Sequence, residues 1–176
     1  MSPLLPLALL FVLGLTDAAF AGFRDAAGRD ARIFKAEYNR RGVRRGLRFG
    51  LAVSALSSLL AAAVVVSAPS PAARLAELSV SAWWMVAVLA VYATIVLIAL
   101  GLWAIAEADL RTLASVTVLG PFTLLRPWVI AAAGAVGAWH APSTPVVIVA
   151  IGASLFQLSI ERWMGLGWRG GERPLG

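Results

Sequence analysis

The sequence predicts an all-α, polytopic integral membrane helical bundle of about five transmembrane helices. Three observations carry this. Of 176 residues, 60% are hydrophobic and only 14% are charged, whereas an ordinary soluble domain is about a quarter charged. Mean hydropathy is +0.84, and so small a chain has no core large enough to hide that much apolar surface from water. Finally, the apolar residues gather into five segments, and nearly all of the Lys and Arg residues fall on alternate connections between them.

The first segment, about 3–23, contains Asp17 and ends in "AFAG" at 19–22, which has the small-residue form of a signal cleavage site. No basic residue precedes the apolar run, however, and cleavage would leave the basic segment that follows on the wrong side. The segment is therefore expected to be a retained helix. Residues 24–48 hold nine basic residues against Asp25, Asp30 and Glu37, a balance of +6 that equals the net charge of the whole chain. Asp25/Arg29 and Glu37/Arg41 have the i,i+4 spacing of helical ion pairs, so the first helix should continue past the apolar run. "RRGVRRG" at 40–46 should then break it with glycines. Arg40, Arg41, Arg44 and Arg45 are candidates for contact with anionic lipid headgroups. They serve equally as a plain topology signal. No aromatic residues interleave with them as in single-strand binders, so no nucleic acid partner is expected.

The second segment runs about 49–69. The third, about 82–106, is the clearest: "AWWMVAVLAVYATIVLIALGLWAIA" carries no charge. The fourth lies in about 118–139 and the fifth in about 145–163, with a tail over 164–176. Fourteen of the fifteen basic residues fall on one side of this arrangement, and only Arg74 falls on the other. The positive-inside rule then puts the N-terminus outside and the C-terminus in the cytoplasm of a multi-pass protein of the cell (inner) membrane. Trp83, Trp84 and Trp139 would mark the outer interface, and Trp103, Trp163 and Trp168 the inner one.

Two block echoes suggest a duplicated two-helix hairpin plus one helix. "LGL" recurs at 13–15 and 100–102, and "AAAVVVSAPS" (61–70) resembles "AAAGAVGAWHAPS" (131–143). Such repeats occur among transporters. Small residues (Ser54, Ser57, Ser58, Gly134, Gly137, Gly152) are placed to let helices approach closely, within one chain or between copies.

Charge at bilayer depth is expensive and singles out the candidate site residues. Asp17 lies about 9 Å inside the inner interface by helix rise. It reads either as a proton- or cation-handling carboxylate or as half of a structural pair, with Thr16 near enough to bond it. Arg126 falls within the fourth segment, between Gly120-Pro121 and Arg126-Pro127, which both disfavour continuous helix. Residues 108–121 could therefore span, re-enter or lie on the surface. If Arg126 is buried, Asp17 is its best partner. Glu107 and Asp109 end the third segment about 200° apart on a helix, so they do not form a paired acid and base; Glu107 and Arg111 are spaced to pair. Gln157 and Glu161 share a face near the inner end of the fifth segment.

There is no cysteine and one histidine, His140. Thiolate and histidine-rich metal sites lose their ligands, and no phosphate loop, nucleophile elbow or dinucleotide fingerprint is present. No cofactor, metal site or enzymatic activity is expected. Two functional readings remain. One is a small transporter or channel that uses the intramembrane carboxylate to move an ion or solute. The other is a non-catalytic accessory subunit, docking through its small-residue faces as a homo-oligomer or on a larger membrane complex.

Overall fold

The computed structural model describes residues 2–29, 36–107 and 121–169. Among them the chain is all-α: α1 (Leu5–Arg29), α2 (Ala36–Val66), α3 (Pro71–Glu107), α4 (Pro121–Trp139) and α5 (Thr144–Arg169). Three helices contain stretches long and apolar enough to cross a membrane, Leu5–Gly22, Arg40–Val66 and Pro71–Ala99. The other two carry shorter apolar stretches, Leu124–Trp139 and Thr144–Ile160. Only 17–22% of the three long stretches is buried in the fold. Most of the apolar surface faces outward, where water would penalise it by about 25 cal/mol per Å². That balance is compatible with a bilayer surround.

Neighbouring helices run antiparallel, and the α1–α2 pair shows why. On α2, Gly42, Gly46 and Gly50 recur every four residues and form one face. On α1, Gly14, Ala18 and Gly22 have the same spacing. All three α2 glycines are buried. A Cβ on Gly46 would strike the Ala18 carbonyl, and one on Gly22 would strike the Gly42 carbonyl and lie 2.9 Å from the Gly46 Cα. A Cβ on Gly50 would come within 2.5 Å of the Ala18 Cβ. Backbone therefore meets backbone across this seam, as small-residue repeats permit in membrane helices. The expectation that "RRGVRRG" breaks the chain is corrected: α2 is continuous from Ala36 to Val66. Each helical glycine costs about 1 kcal/mol in propensity, but here a larger residue would separate the two helices.

The seam also sorts the arginines. At 100° per residue, Arg41, Arg44 and Arg48 lie on the face of α2 opposite Gly42 and Gly46, with Arg40 and Arg45 to either side. All five are exposed, and the Arg45 guanidinium lies 6.0 Å from the Phe49 ring centroid.

Two short connections close the other end of the bundle. The stretch between the second and third apolar segments, 70–81, is mostly helical: the turn ends at Ser70 and α3 begins at Pro71, a residue whose fixed φ suits the first helical position. The Arg74 amide donates to the Ser70 carbonyl at 3.1 Å. Ser143 does the same before α5, its carbonyl accepting from the Val146 and Val147 amides at 3.1 Å each. The echoed "APS" blocks thus share one turn-and-start geometry.

The core comprises three small layers. At the turn end, Leu78, Val146 and Val149 pack with Leu60, Val64 and Val65. In the middle, Met85, Ala133 and Ala150 pack with Leu10 and Leu89. Towards the other end, Ala18, Ala21, Val53 and Ile160 pack with Phe156. α4 runs unbroken through Pro127, although that residue has no amide hydrogen to donate to the carbonyl four residues back. The helix break expected at Arg126-Pro127 does not occur. Residues 108–120, including Asp109 and Arg111, lie outside the described residues, as do 30–35 and 170–176.

Candidate functional site

Polar side chains from three helices converge on Asp17. It lies on the inward face of α1, one residue before the buried Ala18. Arg126, in the second turn of α4, is only 4% exposed. Its Nε donates to Asp17 Oδ1 and its Nη2 to Oδ2, the two-pronged match that guanidinium and carboxylate favour. Gln157, on α5, donates from Nε2 to Asp17 Oδ2 and, at 3.4 Å, to the Gly14 carbonyl. Gly14 makes room for that amide, because a Cβ there would lie 3.3 Å from Gln157 Oε1 and 3.4 Å from Ser54 Oγ. The opposite charges cancel and are hydrogen-bonded, the condition under which two charges persist away from water.

Thr16, expected as a possible partner of Asp17, instead donates to the Val12 carbonyl at 2.9 Å. It faces away because adjacent helical residues point about 100° apart. The side chains of Glu107, at the end of α3, and Glu161, in α5, lie outside the described residues, so the site as described is Asp17, Arg126 and Gln157. Arg40, Arg41, Arg44 and Arg45 form the separate exposed face on α2. Gln157 was legible only as a helical neighbour of Glu161. The signal for it is an amide at helical depth in an otherwise apolar segment.

Asp17, Arg126 and Gln157 open onto a cavity of about 1080 Å³. It is lined from all five helices, from Leu7 to Phe20 along α1, with Leu4 just before it, and from Leu75 to Leu97 along α3. Among the described residues, Asp17 and Arg126 are the charged ones in its wall. Asp17 retains 26% side-chain exposure, against 4% for Arg126. Asp17 is thus the more accessible member of the pair. The wall hydroxyls are largely committed to backbone: Ser57 to the Val53 carbonyl (3.0 Å), Ser58 to the Ser54 carbonyl (2.8 Å) and Ser81 to the Gly137 carbonyl (2.9 Å). Ser154 differs: its buried Oγ has no hydrogen-bond partner among the described residues.

The other small residues are used inside the fold. A Cβ on Gly134 would meet Ser154, one on Gly137 would lie 2.5 Å from Met85 Cγ, and one on Gly152 would lie 2.9 Å from Leu60 Cδ2. Gly134 and Gly137 are thus filled from within the chain and do not present a free docking face. At the turn end, Arg74 and Glu77 pair at 2.7 Å, and Ser143 donates to Glu77 at 2.9 Å and accepts from Arg74. Nearby, Trp84 and His140 stack with centroids 4.0 Å apart. Trp128 and Trp139 are 75% and 86% exposed, and at eleven residues apart they are separated by about 17 Å along α4.

No metal-ligating cluster of three or more His, Cys, Asp or Glu occurs among the described residues. No family model matches the chain, and no curated protein or solved structure matches it.

Proposed function

We propose that this chain is a multi-spanning membrane protein in which all five helices cross the bilayer, and that it moves a small solute past the Asp17–Arg126 pair. The observation that carries the reading is the placement of that pair: a carboxylate and a guanidinium from different helices, within apolar segments, with the carboxylate reachable from a large cavity. A charge held at such depth demands compensation and is seldom kept without a use. The proposed orientation keeps the N-terminus outside and the C-terminus in the cytoplasm. Arg126 no longer counts as a topology anchor, because it is buried, yet thirteen basic residues still oppose Arg74 alone.

The test is reconstitution into vesicles loaded with a pH-sensitive dye, with sodium, potassium or proton gradients imposed in turn. Flux above empty vesicles that Asp17→Asn abolishes, with the variant still folded, supports the reading. Flux no greater than in empty vesicles, or an Asp17→Asn variant as active as the parent, rejects it. Because the chain has no cysteine, single cysteines at Ser70 and Arg44 report orientation independently. An impermeant thiol reagent added to intact cells should label the first and spare the second.

A further inference from the structure

The arginine face of α2 follows a stricter pattern than orientation requires. An orientation signal needs only that basic charge lie on one side of the membrane, at any angle around a helix. Here Arg41, Arg44 and Arg48 stand at intervals of three and four, and Ala52, Ala55 and Leu59 continue the same row. All of these residues are exposed. The row points away from α1, because the glycines on the opposite face of α2 are packed against Ala18 and Gly22. One unbroken strip of helix surface therefore changes from cationic to aliphatic along its length.

The change falls at a definite depth. Arg48 to Val66, the last residue of α2, covers about 27 Å by helix rise. A hydrocarbon core is about 30 Å thick. With Val66 at one boundary, Arg48 lies at the other, and Arg44 lies about 6 Å further out, among the headgroups. Residues four apart on a helix have Cβ atoms about 5–6 Å apart, so both guanidinium groups reach one phosphate, which each can grip with two N–H donors. Arg45 stands to one side, its guanidinium 6.0 Å from the Phe49 ring centroid. Arg74 and Arg126 have their carboxylates on or between other helices. Among the described residues, no carboxylate is paired with Arg44 or Arg48.

Charge and shape together select the occupant. A soluble polyanion would use the arginines and leave the aliphatic half of the strip idle. A zwitterionic lipid fits the strip but offsets its phosphate with its own ammonium. An acidic phospholipid fits both halves and keeps its net negative charge for the arginines. We propose that the outward face of α2 binds one acidic phospholipid. Its phosphate lies between Arg44 and Arg48, and an acyl chain runs along Ala52, Ala55 and Leu59. This site is separate from the Asp17–Arg126 cavity and rests on the reading above for its membrane setting only.

The experiment titrates the full chain, purified in neutral detergent, with phosphatidylglycerol or with phosphatidylcholine of the same acyl chains, and counts bound lipid by native mass spectrometry. Phosphatidylglycerol should bind the more tightly. Each arginine near an anionic headgroup is worth about fivefold in binding, so Arg44→Gln with Arg48→Gln should weaken phosphatidylglycerol about twenty-fivefold. The double variant should bind phosphatidylcholine as the parent does, and Arg74→Gln, at the far end of the bundle, should change neither lipid. Both mutated side chains are exposed, so melting in lipid-free detergent should be unaltered. On the unmutated chain, phosphatidylglycerol with a diazirine in its acyl chain should leave adducts on the outward face of α2, around Ala52, Ala55 and Leu59. Equal affinity for the two lipids, a double variant that keeps phosphatidylglycerol, or adducts spread evenly over all helices each overturn the proposal. Displacement of the lipid by an equal concentration of inorganic phosphate also overturns it, in favour of a free anion. If phosphatidylglycerol binds α2 but nothing crosses the vesicle membrane, the transport reading fails and this inference stands. If a solute crosses while the two lipids bind alike, the reverse holds.

Discussion

Arg126 grips both carboxylate oxygens of Asp17 across 109 residues of sequence and ties α4 to α1. With Arg126 only 4% exposed, the consequences of losing one partner differ from those of losing both. Removing one member of a buried pair costs about 3–5 kcal/mol, because the other charge is stranded, whereas replacing both by apolar residues is often neutral. Arg126→Leu should therefore lower stability by about that amount, and Asp17→Leu with Arg126→Leu should recover most of it. Thermal unfolding in detergent, followed by tryptophan fluorescence, measures both. A double variant as unstable as the single one would show that the pair is not the source of the loss.

The glycine seam between α1 and α2 allows a sharp internal comparison. Gly46→Ala drives a methyl group into the Ala18 carbonyl, whereas Gly101→Ala meets nothing within 4 Å. The first should destabilise by several kcal/mol, since overpacking alone costs about 1–3 and the seam has backbone on both sides. The second should be neutral or gain up to about 1 kcal/mol from helix propensity. Denaturant titration of the two purified variants decides the matter. Equal effects would mean that propensity, not contact, governs both positions.

Ser81 offers a smaller test. Its hydroxyl donates to the Gly137 carbonyl at 2.9 Å in a buried contact between α3 and α4. Ser81→Ala should cost about 1 kcal/mol, the usual net worth of such a bond. Gly137→Ala should cost more, because its Cβ would crowd both Met85 and Ser81. The order of the two melting temperatures is the readout.

At the turn end, Ser143 joins Arg74 and Glu77 across the start of α3 and the start of α5. These groups are partly exposed, so the network is worth little in water, about 0–1 kcal/mol. Ser143→Ala should shift the melting temperature only slightly, and raising the salt concentration should shrink that shift further. A large, salt-independent loss would mean that Ser143 acts mainly through its place before α5.

How far the sequence revealed this arrangement depends on which residues carried it. Asp17 and Arg126 stood out because charge in an apolar segment is costly, and cost at similar depth made them natural partners. Gln157 stood out only as a helical neighbour of Glu161, and Ser154 not at all, because an amide or hydroxyl costs far less than a charge and long apolar segments often contain one. The glycines at 42 and 46 were misread for a different reason. Flanked by arginines they look like punctuation, and only their match in spacing to Gly14, Ala18 and Gly22 reveals a packing face. Pro127 was misread in the opposite sense. A proline disfavours helix locally, but α4 absorbs one lost backbone bond while its neighbours pack against it.

The span between the two charged partners also has a consequence in time. Ribosomes add about 5–20 residues per second, so α4 emerges roughly 5–20 seconds after Asp17 has been made. Throughout that interval a nascent α1 carries a carboxylate with no arginine to meet it. The backbone-to-backbone seam with α2 is available much earlier, and it can hold α1 in place until α4 arrives. Chains truncated after residue 107 should accordingly be cleared by membrane proteases faster than the full chain in a pulse-chase experiment. Asp17→Leu should lengthen the life of the truncated chain while shortening that of the complete one. The same carboxylate would then be a liability to the unfinished chain and a fastener in the finished one.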